Sequence, residues 1–140
     1  MSSPLLRTGA ALLLALVPAL SLAEEATVLR HTQLEYVGHR TRPVKGPPVV
    51  VAERSESGLT VSITDLEFYC APAPLLAVSA TEAVATVRVL PPTGAVARCR
   101  GAHDLRIQVA DLPTAVTSLV LVDHRELERA RVPISAPAAD

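Results

Sequence analysis

Residues 59–70 read Leu-Thr-Val-Ser-Ile-Thr-Asp-Leu-Glu-Phe-Tyr-Cys. Leu59, Val61 and Ile63 alternate with Thr60, Ser62 and Thr64, the period of two that gives a strand one core face and one wet face. The apolar parity then changes, from odd at Leu59, Val61 and Ile63 to even at Leu66, Phe68 and Cys70. A period-two strand cannot change parity without an extra residue. The stretch therefore predicts a bulge or break near Thr64-Asp65, with Ile63 and Phe68 both pointing into the core.

Working outward, the same period recurs. Leu105, Ile107 and Val109 alternate with Arg106, Gln108 and Ala110, and Ala83, Ala85, Val87 and Val89 make one face of a third strand. Val28 to Val37 reads as a first strand, Val49 to Val51 as a short continuous one, and Leu75 to Ser79 as a strand or a crossing connection. Leu119 to Val122 is apolar on both faces, which suits a strand covered on both sides. Arg129 to Ile134 would return beside it as a terminal hairpin around His124-Arg125-Glu126, although residues 125–131 also suit a helical turn. Prolines 43, 47, 48, 72, 74, 91, 92, 113, 133 and 137 punctuate these runs. Proline cannot donate to a ladder, so they mark loops, edges and strand ends. About seven short strands spaced near ten residues apart predict an all-β fold, a small antiparallel β-sandwich.

The N-terminus reads differently. Arg7 precedes an apolar run from Ala10 to Leu20, interrupted only by Pro18, and Ser21-Leu22-Ala23 carries small residues at its first and third places. This is the order of a cleavable secretory signal peptide, residues 1–23. The run is shorter than the roughly 20 residues needed to span a bilayer core. No other stretch of the chain approaches that length. The expectation is a secreted or periplasmic protein whose mature part, residues 24–140, is one domain without a transmembrane segment. Removing 23 of 140 residues leaves 117, with 12 basic and 14 acidic side chains and a net charge near −2. That balance points to neither nucleic acid nor an anionic membrane as partner. Tyr36, Phe68 and Tyr69 are the only aromatics, so the core must be built from Val, Leu, Ile and Ala.

Cys70 and Cys99 are the only cysteines. In an oxidising compartment an even count reads as a structural disulfide. Closing a loop of about 30 residues is worth roughly 3–4 kcal/mol in the chain-entropy account. The alternative is a metal site for zinc or copper. Cys99 and His103 stand four positions apart, Cys70 would be a third ligand, and His31, His39 or His124 a fourth. Structural zinc usually shows paired short spacings, and here there is one. The mature chain has no thioether for copper(I). Neither Cys-x-x-Cys nor Cys-x-x-Cys-His occurs, so redox and haem-attachment motifs are absent, and no cofactor is expected.

Catalytic motifs are also missing. Ser57-Gly58 precedes a strand rather than forming a nucleophile elbow, and Pro91-Pro92-Thr93-Gly94 is a turn, not a phosphate loop. Asp65 with Glu67, and Glu126 with Glu128, share strand faces as solvated carboxylates routinely do. Two basic clusters stand out. Arg30, Arg40, Arg42 and Lys45 oppose only Glu35; Arg98, Arg100 and Arg106, with His103, oppose Asp104. Converging in the fold, Arg98, Arg100 and Arg106 would make an anion-binding surface; the rival reading is local salt bridges.

The order of short strands, with one cysteine pair and a terminal hairpin, resembles small exported immunoglobulin-like modules of bacteria. The resemblance implies an immunoglobulin-like sandwich. It departs from that family in lacking a core Trp. Ala97 stands two residues before Cys99 where the tyrosine corner would be, and Phe68 stands two before Cys70. No functional residue carries over. The resulting expectation is a non-catalytic exported module binding a protein or cell-envelope component through loops or an open sheet edge.

Overall fold

The computed structural model describes residues 25–40 and 43–137, without the side chain of His39. The leader-like segment lies outside them. The described residues form nine strands: β1 (Thr27–Leu29), β2 (His31–Arg40), β3 (Val49–Ser55), β4 (Gly58–Tyr69), β5 (Leu76–Ala80), β6 (Val84–Val89), β7 (Arg100–Val109), β8 (Ser118–Val122) and β9 (Glu128–Pro133). They form a four-stranded sheet in the order β2-β7-β4-β3 and a five-stranded sheet in the order β1-β5-β6-β8-β9. Among the described residues there is no helix, and so none long and apolar enough to cross a membrane.

β4 pairs with β7 from Leu59 to Tyr69 and with β3 from Gly58 to Thr64, and its odd-to-even parity change is built as expected. The β4–β7 register shifts between Ile63 and Leu66, and Asp65 takes a positive φ of 61°. Ile63 and Phe68 are both 1% exposed. They meet Leu59, Val61, Leu66, Leu105, Ile107 and Val109 from the same sheet and Val78, Val87, Leu119 and Leu121 from the other. Phe68 is the only large ring fully buried, so branched aliphatic side chains fill the space between the sheets.

Three sequence expectations need correction. The sandwich is not wholly antiparallel, because β6 and β8 pair in parallel, Val84 opposite Ser118 through Arg88 opposite Val122. The chain leaves β6, crosses to the other sheet as β7 and comes back as β8. Two reversals restore the original direction, so these neighbours must run the same way. Second, Val28 to Val37 is not one strand: β1 pairs with β5, and after Arg30 the chain changes sheets to pair with β7 as β2. This switch, with Leu76–Ala80 forming a true strand, raises the count above seven. Third, of the two readings left open for residues 125–131, the helical turn is not the one built and the expected hairpin is. β8 and β9 form the hairpin, Asp123 N–H donating to Leu127 O at 2.9 Å.

Cys70 and Cys99 are bonded, with Cα atoms 5.5 Å apart. They continue the β4–β7 ladder beyond Tyr69 opposite Arg100, where Cys70 N–H donates to Cys99 O at 3.0 Å. The bond therefore joins neighbouring strands of one sheet, unlike the immunoglobulin cystine, which joins the two sheets. The loop it closes contains β5 and β6, both in the opposite sheet.

All four sheet edges are blunted. β1 has three residues, β9 contains Pro133 and three charged side chains, and β3 follows Pro47-Pro48. The tail covers β3 further: Ser135 N–H donates to Ala52 O and its carbonyl accepts from Arg54 N–H. β2 is longer, but register shifts interrupt it at Gln33/Glu35 and Val37/Arg40. Short edges, prolines, charges and bulges all discourage pairing with another chain.

Two stability predictions follow from these constraints. At Gly58, φ is 130° and a Cβ would lie 2.0 Å from the Val109 carbonyl oxygen. Gly58→Ala should cost about 2–4 kcal/mol, read from the urea midpoint. The double substitution Cys70→Ala and Cys99→Ala should lower Tm by well over ~10 °C, since a loop of about 30 residues is worth roughly 3–4 kcal/mol and each kcal/mol shifts Tm by roughly 4–8 °C. A double variant melting with the parent would show that the bond constrains nothing.

Candidate functional site

The half of the sandwich that carries the disulfide also gathers Phe68, both tyrosines and two of the histidines. β4 delivers Phe68 and Tyr69 there, β7 delivers His103, β2 delivers Tyr36, and the β8–β9 turn delivers His124. Phe68 is the hub: its ring meets Tyr69, His103 and His124 edge-on, with centroids 5.4, 6.1 and 5.3 Å away. His103 is fully buried, and both ring nitrogens are engaged. Nε2 lies 2.9 Å from the Tyr69 carbonyl oxygen, and Nδ1 lies 2.9 Å from Tyr36 Oη. A carbonyl only accepts, so Nε2 carries the hydrogen; in the neutral ring Nδ1 then accepts from the Tyr36 hydroxyl. Burial raises the Tyr36 pKa, which keeps that donor protonated.

His124 is held differently. Its Nδ1 is buried without a hydrogen-bond partner, and Nε2 lies 3.5 Å from Arg100 Nη2. Burial lowers its pKa; Asp123 opposes that shift, Arg100 and Arg125 reinforce it, and Glu67 opposes it. The Arg100 guanidinium sits 5.2 Å above the Tyr69 ring and 3.4 Å from Glu67. Asp123, 6% exposed, accepts from the Arg125 and Leu127 N–H groups at 2.9 and 3.0 Å, which fixes the hairpin tip.

A second polar cluster pins the β4 bulge. Arg40 Nη2 donates to Asp65 Oδ1 and to Asp104 Oδ1, both at 2.8 Å, and Asp104 Oδ1 also accepts from the Asp65 N–H at 3.0 Å. The parity of β4 locates this bulge in the sequence. The residues that hold it come from β2 and β7 and leave no local signal.

The sequence-derived sites fare unevenly. Cys70 and Cys99 hold each other, and the His103 nitrogens face Tyr36 and Tyr69, so the thiolate–imidazole set of Cys70, Cys99 and His103 is not assembled. His31 starts β2 at the other end of the sheet from His124, and the His39 side chain lies outside the described atoms. Among the described residues, no three or more His, Cys, Asp or Glu side chains are grouped to hold a metal ion. Arg98, Arg100 and Arg106 do not converge. Arg100 and Arg106 lie six residues apart on β7, about 20 Å at strand rise, and Arg100 is engaged by Glu67 and Tyr69. Arg106 stands opposite Glu35 and Ser62 in mid-sheet.

Of the other basic cluster, Arg40 binds two carboxylates, Arg30 lies at the β1–β2 junction, Lys45 is exposed at the disulfide end, and Arg42 lies outside the described residues. The carboxylate pairs are split among separate arginines: Asp65 on Arg40, Glu67 on Arg100, Glu126 on Arg88 and Glu128 on Arg131. Between the 43–48 connection and the β8–β9 hairpin runs an open cleft of about 580 Å³ lined by Val44, Pro47, Glu67, Leu127 and Arg129. A second, of about 330 Å³, is walled by Phe68, Pro72, Leu75, Leu90, Pro91 and Pro92.

The lowered pKa of His124 gives stability a pH dependence of definite sign. The unfolded chain takes up this proton more readily, so stability is fully present above the unfolded value of 6.5 and declines as pH falls below it. His124→Phe keeps a ring against Phe68 and Tyr69 but cannot titrate. Urea unfolding at a series of pH values from neutral downward should show a shallower loss of stability in the variant than in the parent, and equal slopes would refute the assignment. In comparisons with known proteins, no family model, no curated protein and no solved structure matches this chain.

Proposed function

We propose that the chain is an exported, non-catalytic binding module that engages a protein or envelope component through the loops at its disulfide end. One observation carries this reading: the side chains there with chemical versatility are engaged with one another rather than facing a shared space. Both His103 nitrogens, the Arg40 guanidinium, the Asp123 carboxylate and the Arg100–Glu67 pair all have intramolecular partners. Around them, Leu75 and Leu127 stand 66% and 53% exposed beside open clefts. A rigid scaffold presenting such loops suits recognition. The leader-like residues 1–23 support export, and the blunted edges favour loops over strand addition.

The test is photocrosslinking in the intact envelope of the producing cell, with the crosslinking residue placed at Leu75, at Leu127 or, as control, at Glu82. Defined adducts from Leu75 and Leu127 and none from Glu82 are expected. Adducts formed equally from Glu82, or from none of the three sites, would refute the loop-end assignment.

A further inference from the structure

Charge is segregated along this molecule in a way its net value conceals. In the disulfide half, every described carboxylate is ion-paired with an arginine: Asp65 and Asp104 with Arg40, Glu67 with Arg100, Asp123 with Arg129, Glu126 with Arg88, and Glu128 with Arg131. Lys45, Arg98 and Arg125 are left over in three loops at that end. All three are exposed and have no ion-pair partner among the described residues. The opposite end carries Glu53, Glu56, Glu82 and Asp111 without an ion pair among the described residues, and they outnumber the one exposed cation there without an ion pair, Arg30. Arg54 at that end is turned to main-chain oxygens, its Nη2 donating to Val116 O at 2.6 Å.

The cationic end is also where Leu75 and Leu127 protrude, in the 70–75 and 123–127 loops. Leu75 edges the proline-walled cleft, and Leu127 edges the cleft beside Val44. They are apolar tips on separate loops rather than one recessed patch, and Lys45, Arg98 and Arg125 stand in loops at the same end. Scattered apolar tips among unpaired cations match a soft surface of dense negative charge over an apolar interior.

We infer that the disulfide end of the sandwich docks on an anionic bilayer surface, with Lys45, Arg98 and Arg125 at the headgroup phosphates and Leu75 and Leu127 entering the boundary beneath them. This rests on the reading of the chain as an exported binding module and narrows its partner to the lipid surface of the envelope. Each basic side chain near such a surface strengthens partitioning about fivefold, so three together supply on the order of 100-fold. The paired carboxylates nearby oppose this in part only: five arginines offset six of them, Asp65 and Asp104 sharing Arg40, and the three unpaired cations outweigh the one charge left over.

The experiment is co-sedimentation of the purified, oxidised protein with vesicles of phosphatidylglycerol and phosphatidylcholine, and with phosphatidylcholine alone. Binding to the anionic vesicles should exceed binding to the neutral ones at least about tenfold at low salt and weaken as salt rises. Lys45→Glu, Arg98→Glu and Arg125→Glu combined should abolish it, whereas Glu56→Gln with Glu82→Gln at the opposite end should leave it unchanged. Leu75→Ser with Leu127→Ser should remove the salt-resistant part. Circular dichroism confirms that each variant folds. Equal binding to both vesicle types, absence of binding, or binding retained by the triple variant overturns the inference. Binding to immobilised poly-L-glutamate without binding to vesicles assigns the surface to an acidic protein and overturns it equally. Crosslinks from Leu75 and Leu127 to any envelope component keep the loop-end reading; crosslinks to a protein, without vesicle binding, overturn this inference alone, so the two proposals fail separately.

Discussion

The pairing of β4 with β7 is the constraint on which the rest of the molecule depends. Its register runs from Leu59 opposite Val109 to Tyr69 opposite Arg100, and the disulfide extends it by one step. Both strands are flanked on both sides within their sheet, by β3 and β2, and both turn their apolar faces to the second sheet. A strand so placed has no tolerance for a slipped register, because a shift of one residue would turn Val61, Ile63 and Ile107 to water. The bulge at Thr64-Asp65 lets one continuous strand serve two faces. Below it the odd residues point inward; above it the even ones do, which brings Phe68 and Cys70 into the interior. Asp104 on the neighbouring β7 and Arg40 on β2 beyond it hold the extra residue in place.

Much of this was legible in residues 59–70 alone. Alternation is a local property, so β4, β6, β7 and the bulge can be read directly, as can the bond between two cysteines once export is expected. What escaped reading depends on connections between distant segments. The parallel β6–β8 pair follows from an excursion through the other sheet, which no window of sequence contains. The change of sheet at Arg30 happens inside a run that reads as one strand, because an extended chain can change partners without changing its local conformation. The Cys99–His103 spacing suggested a ligand pair, yet the sulfur was claimed by Cys70 and the ring turned into the core.

The site was less legible than the fold for the same reason. Arg98, Arg100 and Arg106 are near in sequence, but strand rise carries Arg106 away from the others, while Arg125 and Lys45 reach the same end from distant loops. Pairing is what distinguishes them. An arginine facing a carboxylate offers little to a partner, whereas one without a carboxylate keeps its full attraction, and only the folded chain shows which is which. Small side chains contribute as well. A core of Val, Leu, Ile and Ala leaves the few rings free to gather around Phe68 at one end, where they stiffen the base from which the loops rise.

The parallel pairing of β6 with β8 also makes the second sheet depend on a long connection. The chain reaches β8 only by way of β7, the fourth and last sequential member of the four-stranded sheet. The β5–β6 hairpin forms from neighbours, but its second edge waits for a segment roughly 30 residues further on, a closure that carries an entropic cost before any contact rewards it. The centre of the second sheet is thus joined by contacts between distant segments, the kind of pairing that raises contact order and in general slows folding.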